Sequence, residues 1–346
     1  MKRIALIAVV AAALVMTVTG CQEREPRADG VTVMLLTDDT GIDDRSFNAA
    51  AWRGILEFYG ETWEHTPSRG TLFQTMNAPT DDFFVPNLRL AIEEGFDLIV
   101  TAGFAWSDAV GEVALDHPEQ NILLVDVDWV YGPNVMQAVF AEHEGSFLVG
   151  AAAALQAVEQ GVEAPRFGFI GGVPNEVITR FEVGFAQGVR HVLPEAEVLV
   201  FYVNDWGNAA LARAQAMNWY GDGVFAIFSA AGASGNGTIA EAMEQRLRGN
   251  NVWAIGVDSD QFDQGIYDGA NSAVLTSMIK RVETSVVYAL NAVRDGNFDG
   301  RTIAFGLDAD GVGFSTSNPA LGPAVVSRVE QIREAIIDGE IIVAAE

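Results

Sequence analysis

The sequence predicts an α/β protein of two like lobes, each a parallel sheet with helices on both faces. Three observations carry this. Short apolar, β-rich runs alternate with helix-like segments, the alternation restarts at Arg166, and the first run, Val31 to Leu36, ends in a polar turn that opens a helix. Strands alternating with helices argue a parallel sheet, and open α/β sheets hold ligands at the carboxyl ends of their strands.

In the first series, Phe47 to Tyr59 and Leu88 to Glu94 read as helix and Asp97 to Ala102 as a buried strand. Ser107 to Leu115 reads as helix, Asn121 to Asp126 and Val135 to Ala141 as strands, and the alanine-rich Glu144 to Glu159 as helix. In the second series, strands are expected over Arg166 to Gly171, Glu197 to Val203, Val224 to Ser229 and Val252 to Val257. The helices between them are Asn175 to Val192, Ala209 to Tyr220 and Thr238 to Arg248. The last part is less regular: Ala273 to Ser277 reads as a strand, Val282 to Arg294 as a helix, Thr302 to Phe314 as extended, and Val325 to Asp338 as a terminal helix stopped by Gly339. These segments are expected to cross between the lobes. No strict short-period repeat is present.

The amino end reads as a targeting segment. Lys2 and Arg3 precede an apolar run, Ile4 to Val18, too short and abruptly ended for a membrane span. Val18-Thr19-Gly20-Cys21 is the small-residue pattern before a cysteine that bacterial lipoprotein peptidases cut, so Cys21 is expected to become the lipidated first residue of the mature chain. A plain secretory signal with a chance cysteine is the competing reading. Cys21 is the sole cysteine, which excludes an intrachain disulfide. Residues 21–30 form a polar tether holding a proline and a glycine. Residues 31–346 suffice for two domains, and no later run approaches a membrane helix in length.

Net charge is −27, and −29 once the two charges of Lys2 and Arg3 are removed. Such a surface disfavours nucleic acid, anionic lipid headgroups and polyanionic ligands.

The turn from Thr37 to Gly54 concentrates polar chemistry: Asp38, Asp39, Asp43 and Asp44, then Phe47 and Asn48. Four carboxylates invite a calcium reading, and nucleoside hydrolases carry a comparable DxDxGxDD turn. Here Thr37 occupies its first position, so one ligand is missing from a set in which hard cations need several oxygens. The bland alternative is that Asp43 or Asp44 caps the following helix. Phe47 and Asn48 side by side suit stacking on, and hydrogen bonding to, a heterocycle; otherwise they are core and helix residues. Ala230 to Ala240 holds a G-x-G-x-x-A run with Asp258 downstream, a partial dinucleotide fingerprint. It comes late in its series, and an exported protein has no ready nicotinamide pool, so an NAD enzyme and a bound cofactor are not expected. Asp258 ends a strand and suits a vicinal diol, at roughly 1.5–3 kcal/mol per charge-assisted bond; it reads equally as a turn aspartate. The histidines, His65, His117, His143 and His191, show no metal spacing, and no G-x-S-x-G elbow occurs.

Taken together, several stretches resemble the basic membrane protein (Bmp) family of bacterial lipoproteins, the purine-nucleoside receptors of ABC importers. They are Asp43-Asp44-Arg45-Ser46-Phe47-Asn48 with Trp52 and Gly54, Thr101-Ala102-Gly103-Phe104, and Arg180-Phe181-Glu182 with Gly184, Phe185 and Gly188. Further along come Gly235 and Gly237, Ala254-Ile255-Gly256-Val257-Asp258 with Asp260 and Gln261, and Thr276-Ser277-Met278-Ile279-Lys280. The resemblance implies the type I periplasmic-binding-protein fold, two Rossmann-like lobes joined by three crossovers, with residues 31–142 and 274–298 in the first lobe and 143–273 and 299–346 in the second. It implies a monomer anchored to the membrane by lipid on Cys21, facing the periplasm or exterior, with an ABC permease as partner and no catalysis. It implies that Asp38 and Asn48 meet the base, that Phe47 stacks on it, that Asp108 adds a polar contact, that Gly232 and Asp258 meet the ribose, and that Lys280 lies by the sugar and balances Asp258. The family's second stacking phenylalanine is matched by Trp206, a departure that leaves a different heterocycle such as riboflavin open, alongside a nucleoside hydrolase.

Overall fold

The computed structural model describes residues 30–63 and 72–346. The expected leader, Cys21 and the tether up to residue 29 lie outside the described residues. In the first lobe, β1 (Val33–Thr37), α1 (Phe47–Tyr59), β2 (Phe73–Asn77), α2 (Phe84–Glu94), β3 (Leu98–Thr101), α3 (Ser107–Val113), β4 (Asn121–Val125) and β5 (Val135–Phe140) follow in order. The second lobe runs α4 (Glu142–Glu159), β6 (Arg166–Gly171), α5 (Glu176–Val192), β7 (Val198–Tyr202), α6 (Ala209–Gly221), β8 (Val224–Ala230), α7 (Asn236–Leu247) and β9 (Trp253–Asp258). The chain ends with a small hairpin, β10 (Ile266–Asp268) and β11 (Asn271–Ser272), then β12 (Val274–Lys280), α8 (Val282–Arg294), β13 (Thr302–Phe305), β14 (Val312–Phe314) and α9 (Pro323–Ile337).

Two six-stranded sheets result, ordered β13-β5-β4-β3-β1-β2 and β14-β12-β9-β8-β6-β7. Every described pairing in the first is parallel; in the second only β14 runs antiparallel. Strand β1 shows why such strands read as unbroken apolar runs. Val33 and Leu35 join the core shared with α1 and α8, while Met34 and Leu36 face the core of α2 and α3. Both faces are covered, so no polar alternation survives. Among the described residues, no helix is long and apolar enough to cross a membrane.

The chain crosses between lobes three times, after β5, after β12 and after β13. The first two crossings share one backbone shape: Ala141 before α4 has φ −87°, ψ 65°, and Arg281 before α8 has φ −80°, ψ 63°. These values are those of an inverse γ-turn.

Sheet membership near the carboxyl end corrects the sequence expectation. Val274–Lys280, expected in the first lobe, completes the second sheet beside β9, with Ser277 opposite Gly256. Thr302–Phe305, expected in the second lobe, completes the first sheet beside β5. Helix α8 does lie on the first lobe, against α1, β3 and β4. An apolar run signals a buried strand but not which sheet edge it closes. Strand β2 went unread because in Phe73-Gln74-Thr75-Met76-Asn77 only Phe73 is buried, the pattern of an edge strand.

Candidate functional site

The carboxyl ends of both sheets open on one cavity of about 710 Å³. Asp38 follows β1, Ala102 and Gly103 follow β3, and Asp126 follows β4; from the second lobe come Asn204 after β7, Gly232 after β8, Asp258 at the end of β9 and Lys280 at the end of β12. Three residues at these ends, Asp126, Asn204 and Asp258, hold left-handed φ values between 59° and 66°. Non-glycine residues seldom do so, and such backbone gathers at functional sites.

The turn after β1 divides its carboxylates between two tasks. Asp44 is buried and accepts the backbone N–H groups of Ser46, Asn48 and Ala49 at 2.8–2.9 Å, which caps α1. Burial pushes its carboxyl up to about 6, although these donors pull the other way. Asp43 is exposed. Asp38 faces the cavity; its Oδ1 accepts from the Thr40 N–H, the Thr40 hydroxyl and the Asn48 side-chain amide, the last at 2.9 Å. The Asp38–Asn48 pair is thus held as a unit before any ligand contact. Asp39 is exposed at the cavity, and its carboxyl is raised by partial burial and by the charges of Asp38 and Asp205.

At the other end lies a buried charge cluster. The Lys280 ammonium sits 2.7 Å from Asp126 Oδ1 and 3.0 Å from Glu142 Oε1. Arg180 approaches Glu142 at 3.7 Å. Burial alone would lower the Lys280 ammonium, but Asp126, Glu142 and Asp258 outweigh it and hold it above its ordinary value. Asp258 is buried, and burial raises its carboxyl against the pull of Lys280 and of the Ser46 hydroxyl, which donates to it. The lysine expected beside Asp258 therefore takes its direct partners elsewhere and reaches Asp258 only through its field.

Aromatic rings line the walls. Phe47 lies 5.1 Å below the Lys280 ammonium, with Phe181 5.5 Å away. Trp206 comes from the second lobe and meets Phe104 of the first edge-on, with centroids 6.3 Å apart. Its indole rests on Gly172, where a Cβ would stand 2.2 Å from the ring. Only glycine leaves room there.

The cavity thus gathers Asp38, Phe47, Asn48, Trp206, Gly232, Asp258 and Lys280. Asp108 is not brought in: it is exposed in the first turn of α3, outside the cavity lining, while the neighbouring Trp106 turns inward onto Phe84. The partial dinucleotide fingerprint also finds a structural use. At Gly237 a Cβ would lie 1.9 Å from the Ala209 carbonyl, so this glycine lets α7 pack directly against α6. Sequence reading missed Ser46, Asp126 and Glu142. The criterion that selected Asp258, a carboxylate ending a buried strand, applies equally to Asp126 after β4.

Two α/β lobes meeting over a cleft at their strand ends define the class: the binding-protein fold of type I. The structure resembles the crystal structure of an ABC transporter solute-binding protein from Aeropyrum pernix K1, with a TM-score of 0.79, 24% identity, and 91% and 94% of the two chains covered. The sequence model of the Bmp family, described as "ABC transporter substrate-binding protein PnrA-like", matches residues 31–346. The chain is 37% identical over 317 residues to the "CD4+ T-cell-stimulating antigen" of Listeria monocytogenes, covering 90% of this chain and 87% of that one. It is 32% identical over 359 residues to the "ABC transporter nucleoside-binding protein BmpA" of Lactococcus lactis, covering 100% and 99%. The protein belongs to the Bmp family of ABC transporter substrate-binding proteins.

Proposed function

We propose that this protein captures a neutral purine nucleoside between its lobes and passes it to a membrane permease, making and breaking no bond. The observation that carries the reading is the buried Asp258 carboxylate sharing one cavity with Phe47 and Trp206. In it, the base stacks between Phe47 and Trp206, at about 1–3 kcal/mol by analogy with nucleic-acid sites. Asp38, steadied by Asn48, meets the polar edge of the base. Asp258 accepts from the ribose diol, with Gly232 beside it. The relative from Lactococcus lactis, named as nucleoside-binding, supports the ligand class. In the same reading the chain works as a monomer, held by lipid on Cys21 at the outer face of the cell membrane.

Isothermal titration with guanosine, inosine, adenosine and their 2′-deoxy forms tests this. The ribonucleosides bind, and loss of one bond to Asp258 weakens the deoxy forms by ~10–100-fold. Equal heats for both sets overturn the ribose contact. Released ribose would make the protein a hydrolase, and a flavin spectrum in the purified protein would change the ligand.

A further inference from the structure

Three successive residues of the first lobe, Asp44, Arg45 and Ser46, each hold the second lobe. The Asp44 carbonyl accepts from the Asn236 side-chain amide at 3.2 Å. The Arg45 carbonyl accepts from the amides of Gln261 and Gln264 at 3.2 and 3.3 Å. The Ser46 hydroxyl donates to Asp258 Oδ2. About two turns further along α1, Arg53 donates to the Ser259 hydroxyl. The receiving side is itself braced: Gln261 Oε1 takes the Val257 N–H at 2.9 Å, and its own N–H goes to Ser277 Oγ at 3.0 Å. The left-handed backbone at Arg45, φ 59°, marks where the chain is bent to make these contacts.

Ser46 and Asp258 stand apart within this set. Ser46 is fully buried, and its hydroxyl supplies the one hydrogen bond that the described residues give the Asp258 side chain. An ionised carboxylate accepts at both oxygens, about four lone pairs in all. A ligand donor on Asp258 leaves that aspartate bridging ligand and first lobe at once. Phe47, next in sequence, lines the cavity from the same turn.

We propose that Asp44-Arg45-Ser46 is the catch that couples occupancy of the cleft to lobe closure, with Ser46 as the positioning residue that reads the ligand through Asp258. The coupling to a nucleoside rests on the function proposed above; the catch itself rests on the interlobe bonds. A closure contact holds a bound ligand and so acts on release more than on capture.

The test compares Ser46→Ala with the wild type by stopped-flow tryptophan fluorescence with inosine, and by the radius of gyration with and without inosine. Asn236→Ala and Gln264→Ala each remove one interlobe bond from a half-buried position and serve if Ser46→Ala folds poorly. The expected result is release faster by about tenfold, association within about threefold of wild type, and a larger radius of gyration in the presence of inosine. A purely structural lesion would instead reduce the active fraction and leave the rates of the remainder alone. Wild-type release rates and wild-type compaction in all three variants overturn the catch. Should the wild type bind no inosine, the nucleoside reading falls. The catch is then judged from the proteins alone: a larger radius in Ser46→Ala supports it, and equal radii overturn it.

Discussion

Lys280 at the end of β12 places its ammonium 2.7 and 2.8 Å from the two carboxylate oxygens of Asp126, at the end of β4. The pair ties the second sheet to the first at the floor of the cleft, beside the crossings that precede α4 and α8. Replacing Lys280 by methionine leaves Asp126 and Glu142 buried without their ammonium. The expected loss is ~3–5 kcal/mol of stability, the usual cost of removing one partner from a buried pair. Urea unfolding measures it, and Lys280→Met combined with Asp126→Leu recovers part of the loss.

Acid acts oppositely on binding and on one part of stability. Burial raises the Asp258 carboxyl, so lowering the pH protonates the acceptor on which the proposed ribose contact rests. Inosine affinity therefore falls as the pH is lowered, which titration at a series of pH values checks. Asp44 has a folded value of about 6 against 3.8 in the unfolded chain. Between those values the folded state holds more protons, so this group's contribution to stability grows as pH falls through 6 and declines as pH rises. Asp44→Asn removes that gain, so the stability difference between wild type and variant widens in favour of wild type as the pH is lowered from about 7.5 to about 5.

Trp206 owes its position to Gly172. Trp206→Ala weakens nucleoside binding by ~1–3 kcal/mol through lost stacking. Gly172→Ala, whose new methyl would stand 2.2 Å from the ring, pushes the indole out of place and weakens binding in the same direction. Calorimetry on both variants checks this; wild-type affinity in Gly172→Ala would mean that Trp206 takes no part.

Nucleoside 5′-phosphates are expected to bind far worse than nucleosides. Asp38, Asp39, Asp81, Asp82 and Asp205 all line the cavity, and Lys280 is already engaged by two carboxylates. One phosphate charge about 6 Å from one carboxylate costs ~3 kcal/mol at an effective dielectric near 20, about a hundredfold in affinity. Competition of inosine monophosphate against inosine, at low and high salt, measures the ratio.

Much of the site was legible because its residues cluster locally. The turn from Asp38 to Asn48 announces itself by composition, and Asp258 by ending an apolar run. Asp108 was misplaced because a motif match fixes a residue's place in the chain, not the direction its helix turns it; one turn of α3 leaves it in solvent. Ser46 was passed over as a spacer inside a motif. Its meaning depends on a carboxylate 212 residues away, which no local pattern contains.

By itself the sequence determined the doubled α/β rhythm and the chemistry at the strand ends, because buried parallel strands and helix starts write short-range patterns of burial and capping. Only the tertiary structure decided which sheet Val274–Lys280 and Thr302–Phe305 complete, and that Lys280 answers to Asp126 and Glu142 before Asp258. Those outcomes turn on which edge lies free when the chain returns and on how many buried charges compete for one ammonium, and both are properties of the packed whole.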